Sequence, residues 1–249
     1  MLKSFFKVFF TVCFFIFSTS CKKSEITFTS NQTSFEISEI QNGSGFFLYP
    51  FRGIEIEVYY YLPSNYNNES KIFFAMHGGG RDAEEMRNSM ISSANQYNQI
   101  IIAPKIDAIN FSLGDQYILG NVYVDGDNPS EETLNHEDNW TFSLIEPLFD
   151  SVTTSLNLTN SEYDIIGYSA GAQFVQRFIL FKPLARFSKA IVAAPGWYTV
   201  INTNIDFPYG FANSILDFNN IENLFSKEVY FIVGELDNNP NAYGLRRND

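Results

Sequence analysis

The chain has 249 residues, 45% hydrophobic and 18% charged, which excludes a disordered, collagen-like or coiled-coil protein. Its formal net charge of −12, from 16 basic and 28 acidic residues, argues against a nucleic-acid binder, because phosphate affinity needs clustered Lys and Arg. Only 2 histidines are present, too few for a His-rich metal centre or for a catalytic histidine with spares.

In chain order, residues 1–20 read as an export signal. Lys3 and Lys7 form a positive start, and an apolar run from Val8 to Phe17 follows. That run is far shorter than the roughly 20 residues a membrane-spanning helix needs. Ser18, Thr19 and Ser20 then precede Cys21, an arrangement that resembles a bacterial lipobox, in which the cysteine is lipidated and becomes the mature N-terminus. Ser18 departs from that pattern, where Leu is commoner, and ordinary cleavage without a lipid is the alternative. Residues 21–34 are rich in Ser, Thr and Asn and suit a tether holding a domain off a membrane surface. The other cysteine, Cys13, lies within the signal, so the exported form would carry neither a disulfide nor a cysteine nucleophile.

Residues 35–249 read as one domain of alternating strands and helices. Short strands are expected at 35–40 and 45–50, joined by a turn-rich Gln41-Asn42-Gly43-Ser44 spacer. Residues 53–62 (GIEIEVYYYL) alternate as a strand, and 71–76 (KIFFAM) form a buried-strand run ending at His77-Gly78-Gly79-Gly80. Asp82 with Glu85 three residues on is a capping-box arrangement opening a helix to about Tyr97. A strand at 99–103 follows, then an irregular acidic stretch at 105–138 that suits a rim or lid. Apolar residues from Phe142 to Val152 recur at helical spacing within 139–156. Beyond lie a strand at 163–166, a helix at 170–182, a strand at 188–194, a helix near 212–225 and a strand at 228–233. Buried strands alternating with amphipathic helices imply an α/β fold with a mostly parallel sheet covered on both faces.

Two glycine turns carry the chemistry. Gly167-Tyr168-Ser169-Ala170-Gly171 is a Gly-x-Ser-x-Gly turn between a predicted strand and a predicted helix. Glycine is needed two residues either side of the serine because larger side chains would clash in so tight a turn. The turn lifts the Ser169 hydroxyl clear of the sheet edge, with the first N–H groups of the following helix aimed at the same place. Acyl transfer also needs two preset backbone N–H donors for the oxyanion. Ala170 supplies one, and the Gly78–Gly80 loop the other, with Gly79 favoured and its neighbours close behind. His77 reads as an anchor of that loop rather than as a general base.

With these residues in place, the chain resembles an α/β-hydrolase of the esterase and poly(3-hydroxybutyrate)-depolymerase-like group. HGGG, GYSAG, "HGGGRDAEE", "WTFSLIEPLFD", "GYSAGAQFVQRF" and "APGWYT" carry the resemblance, which covers about residues 54–249. It implies an α/β-hydrolase fold, a nucleophilic Ser169, no metal or cofactor, and a small-molecule or polymer ester as substrate. It also places the triad acid after the penultimate strand of the sheet, at Asp237, with Glu235 as runner-up.

In this fold the base follows the acid in chain order, yet no histidine occurs in residues 238–249. His136 lies before the nucleophile, in Asn-His-Glu-Asp-Asn, and reads as a solvated or capping residue. Without a base a serine hydroxyl is a weak nucleophile. The expectation is a domain whose C-terminal elements, with the catalytic histidine, lie beyond Asp249; a substitute role for His77 or His136 and an inactive ligand-binding lipoprotein are the alternatives. Trp197-Tyr198 and Phe207–Phe211 either line a pocket over the serine or pack into the core. The expected setting is the bacterial outer membrane or the periplasm, reached through the signal and a lipid on Cys21.

Overall fold

A computed structural model describes residues 37, 40–219 and 221–239. The expected signal, Cys21, the tether and residues 240–249 lie outside the described residues. The chain divides into two units, Met1–Gln32 and Thr33–Asp249, and every described residue falls in the second. No helix among the described residues is long and apolar enough to cross a membrane.

Seven strands form one sheet: β1 (Gly43–Phe51), β2 (Ile54–Leu62), β3 (Ile72–Met76), β4 (Ile100–Pro104), β5 (Tyr163–Tyr168), β6 (Phe187–Ala193) and β7 (Glu228–Ile232). Their order is β1-β2-β4-β3-β5-β6-β7. β1, β2 and β4 pair antiparallel, and every pairing from β4 through β3 to β7 is parallel. The α/β architecture with a mostly parallel sheet is therefore the one the sequence implies.

The strand expected at 35–40 lies mostly outside the described residues. β1 begins within the 41–44 spacer, with Gly43 and Ser44 paired to Leu62 and Tyr61, and forms a hairpin with β2. The turn is Arg52-Gly53, with φ of 54° and 78°. Two consecutive positive φ values in a two-residue loop match the twist of the flanking strands.

The helix expected from Asp82 to Tyr97 is two helices, α1 (Ala83–Ser89) and α2 (Ile91–Tyr97). Asp82 Oδ1 accepts from the Glu85 N–H at 2.8 Å, so the cap forms as read. The break comes where the Met90 N–H turns back to the Arg87 and Asn88 carbonyls while the Ser89 hydroxyl donates to the Met86 carbonyl. Local side-chain bonds of this kind compete with a continuous helix. Arg87, only 3% exposed, fixes α1 to the sheet by donating to the Tyr60 carbonyl at 2.6 Å and the Gly45 carbonyl at 3.2 Å.

The segment expected as one helix over 139–156 begins as 3-10 turns at Glu137–Asn139 and Thr141–Leu144 and becomes α3 at Ile145–Ser155. α4 (Ala170–Phe181) follows the serine turn and is buried along its whole length. The helix expected near 212–225 is not formed: the described residues there are turns and bends, with one 3-10 turn at Glu222–Ser226. Asn213 takes a left-handed φ of 58°, and the Ser214 hydroxyl donates to the Phe211 carbonyl while accepting from the Leu216 N–H. These bonds satisfy the backbone without a helix.

The two faces of the sheet are covered unequally. α1 and α2 shield Phe73, Ala75, Ile101 and Ala103 on one face, while α3 and α4 pack on the other. At the β7 edge, Tyr230, Phe231 and Ile232 stand exposed, so the expectation of two covered faces holds for the centre of the sheet and not for this edge.

On the α3–α4 face the core is aromatic. Phe142 lies against Phe174 at 4.9 Å, Phe178 at 6.1 Å and Phe181 at 6.0 Å, and is fully buried. Substituting Phe142→Ala should lower stability by about 3–5 kcal/mol, the range for emptying a buried aromatic site. Urea denaturation measures this as a fall in midpoint with little change in slope.

Candidate active site

The site is assembled where β3 and β5 end side by side, Met76 opposite Gly167. Between β5 and α4, Ser169 takes φ 55° and ψ −114° and remains half-buried. Non-glycine residues rarely adopt such a backbone, and a residue held there stores strain of order 1–3 kcal/mol. Its N–H donates to the Ala193 carbonyl at 3.0 Å, which ties the turn to the end of β6. A β-carbon on Gly167 would overlap the Gly171 carbonyl, and one on Gly171 would overlap the Met76 carbonyl oxygen. Both glycines are thus required by backbone contact, as the sequence implies.

Gly78–Gly80 comes against the serine turn. A β-carbon on Gly78 would sit 3.7 Å from Ser169 Cβ, and one on Gly79 would sit 3.9 Å from Ala170 Cβ. The Arg81 N–H closes a turn onto the Gly78 carbonyl at 3.1 Å. Ala170 opens α4, and first-turn N–H groups have no partner within their own helix. Ser169, Ala170 and Gly79, singled out separately in the sequence, lie together.

The loop is held from below by His77. Its Nδ1 donates to the Gly78 carbonyl at 2.9 Å, and its Nε2 accepts from the Ile106 N–H at 3.0 Å. Those two bonds define a neutral ring with the proton on Nδ1. The side chain is 1% exposed, and burial, with the nearby Arg81 charge, pushes its pKa down to about 4 against the bond to Gly78. His77 is therefore an anchor with both ring nitrogens engaged.

Two supports of this loop escape the sequence reading. Tyr117 donates its hydroxyl to the His77 carbonyl at 2.6 Å, and burial raises its pKa far above the usual tyrosine range. Arg81 stacks over the Tyr117 ring at 4.8 Å and donates to the carbonyls of Ile106 and, at 2.9 Å, Phe111. Tyr117 belongs to a π-helical turn, Leu113–Ile118, within the stretch expected to be irregular. Tyr117-Ile118-Leu119, an apolar patch inside an acidic stretch, was the one available signal.

His136 caps the 3-10 turn after it: its Nδ1 accepts from the Asp138 N–H at 3.4 Å, and its side chain is 63% exposed. That is the capping role read from the sequence. Asp237 lies on the turn following β7, where its N–H donates to the Gly234 carbonyl at 3.0 Å, at the same carboxyl edge of the sheet as Ser169. It is exposed, as is Glu235. Tyr198 has its pKa raised, first by burial and then by the Asp237 charge. Among the described residues, no group of three His, Cys, Asp or Glu side chains could hold a metal ion.

The aromatic insertion splits between its two readings. Phe207 and Phe211 are buried, Phe207 against Phe181 and Tyr123, and belong to the core. Trp197 and Tyr198 are only half-buried; Trp197 stacks on the Arg177 guanidinium at 3.8 Å, and Tyr198 packs on Phe231. A separate cleft of about 450 Å³ opens beside the serine turn, lined by Gly78, Tyr168, Ile166, Met86 and Met90 with Asp82 and Glu85.

Because the folded pKa of His77, about 4, lies below the ordinary value of 6.5, the unfolded chain takes up a proton between these values that the folded chain does not. Stability supplied by the neutral ring is therefore complete above about pH 6.5 and lost as pH falls toward 4. At pH 5 the loss should be about 2 kcal/mol. Denaturation of wild type and His77→Asn at pH 7 and pH 5 measures it, with the smaller pH dependence expected in the variant.

No protein-family model and no curated protein matches the sequence. Solved structures do. Poly(aspartic acid) hydrolase-1 from Sphingomonas sp. KT-1 is 31% identical, aligned over 84% of this chain and 78% of its own, with a TM-score of 0.76. The poly(3-hydroxybutyrate) depolymerase LpqC from Bordetella parapertussis is 23% identical over 84% of this chain and 70% of its own, with a TM-score of 0.73, a likeness of fold. The serine turn between β5 and α4, the glycine loop after β3 and the identity to the first of these relatives place the chain in the α/β-hydrolase family, as a hydrolase.

Proposed function

We propose that this hydrolase cleaves carboxylic esters through an acyl-enzyme on Ser169. The observation that carries the reading is the strained Ser169 backbone, φ 55°, set against the Gly78–Gly80 loop. In the first step Ser169 Oγ attacks the ester carbonyl while a base takes its proton. The Gly79 and Ala170 N–H groups hold the developing oxyanion. The carbon–oxygen bond to the alcohol then breaks, and the proton passes to the departing oxygen. Water attacks the acyl-serine in the second step and releases the carboxylic acid.

The base in this reading is a histidine that Asp237 orients, a role that neither His77 nor His136 is placed to fill. Both histidines of residues 1–249 have other work: His77 is buried with both nitrogens bonded, and His136 caps a turn. A neutral or weakly charged ester, small or polymeric, suits the site better than an acidic polymer, because a net charge of −12 repels polyanions. Export and a lipid on Cys21 would place the enzyme at the bacterial outer membrane or in the periplasm, facing substrates outside the cytoplasm.

A fluorophosphonate should label the full-length protein at Ser169, and labelling should vanish in Ser169→Ala. Ester turnover should fall at least about 10³-fold in Ser169→Ala, and about 10²–10⁴-fold in Asp237→Asn. Failure of the probe to label well-folded wild-type protein would defeat the proposal.

A further inference from the structure

Leu113 follows β4 and opens the π-helical turn at Leu113–Ile118, yet its side chain is 48% exposed. Its two methyl groups lie 3.9 Å and 4.0 Å from the position a β-carbon on Gly79 would occupy. The same position is 3.9 Å from Ala170 Cβ. An apolar side chain is therefore presented to solvent at the rim of the place where the proposed oxyanion donors meet.

The turn that presents it is firmly tied. Ser112 Oγ accepts from the Gln116 N–H, and Gln116 Oε1 accepts from the Ser112 N–H at 2.8 Å. The Gln116 carbonyl accepts from the Thr141 hydroxyl at 2.6 Å, and Tyr117 is locked onto the His77 carbonyl. π-helical turns are rare and concentrate at functional sites. Here one turn both braces the glycine loop from beneath, through Tyr117, and overhangs it, through Leu113.

On the reading that Ser169 forms an acyl-enzyme, we infer that Leu113 is the specificity-determining residue for the acyl group. A carbonyl carbon bonded to Ser169 Oγ, with its oxygen between Gly79 and Ala170, has two further substituents. The alcohol oxygen must receive a proton from the base that Asp237 orients, so it faces the β6–β7 side of the serine. Leu113 lies beside Gly79, in the segment that follows β4, the strand on the far side of β3 from β5, β6 and β7. The substituent left on that side is the carbon attached to the carbonyl, and Leu113 limits how bulky that carbon can be.

The full-length protein, with Leu113→Ala and Leu113→Trp, is assayed on p-nitrophenyl acetate and p-nitrophenyl pivalate, and on acetate esters of short and branched alcohols. Leu113→Ala should raise the pivalate-to-acetate ratio of kcat/KM by roughly tenfold, the scale set by one or two methyl groups in an apolar pocket, and Leu113→Trp should lower it. Preference among the alcohols should stay unchanged. Pivalate-to-acetate ratios within about twofold of wild type in both variants, or a shift confined to the alcohol series, would overturn the assignment. Fluorophosphonate labelling of wild type separates the two ideas: a labelled serine with unmoved acyl preference removes Leu113 alone. An unlabelled wild-type serine removes the acyl-enzyme reading and the Leu113 role with it.

Discussion

The architecture of the site depends on one backbone contact, the approach of α4 to the end of β3. Gly171 lies so close to the Met76 and His77 carbonyls that a single methyl group would force helix and strand apart. That approach brings Ser169 against Gly78 and Ala170 against Gly79. The two glycine segments are more than eighty residues apart in the chain, and parallel pairing of β3 with β5 makes them neighbours. The pairing sets their height on the sheet, and the missing side chains set their separation.

Around this contact the chain uses rigid, buried groups rather than surface ion pairs. His77 spans the loop after β3 and the segment after β4, and its neutral ring suits a site with almost no water. Tyr117 and Arg81 add bonds to main-chain carbonyls, each of which would otherwise be an unsatisfied acceptor in a dry interior. Phe174 and Phe178 of α4 pack with Phe142 as a stiff aromatic floor. Aromatic side chains lose little conformational freedom on burial, so this floor holds the helix at modest entropic cost.

Much of this was legible from residue pattern. β2, β3, β5 and β6 fall within a residue or two of their expected spans, because β2 alternates in and out along its length and the others centre on short apolar runs. Ser169, Ala170 and Gly79 come together because close-packed backbone requires glycine at fixed spacings, a demand visible without any structure. The misses have local causes. The helix expected near 212–225 gives way to Asn213 in the left-handed region and to the Ser214 hydroxyl bonding to the Phe211 carbonyl. The Arg52-Gly53 turn went unread because arginine gives no hint that it will accept a positive φ. The π-turn at Leu113 was hidden for a different reason: besides the local Ser112–Gln116 pair, its bonds run to Thr141 and His77, distant in sequence.

The backbone of Ser169 has a meaning for the chain as a whole. A left-handed φ with ψ of −114° is open to glycine at little cost and to serine only under load. With natural domains stable by only about 5–15 kcal/mol, strain of 1–3 kcal/mol at one residue is a sizeable fraction of the margin. Selection for folding alone would place glycine at position 169 and gain stability by it. On the proposed acyl-enzyme reading, serine at position 169 sets reactivity against robustness at a single residue.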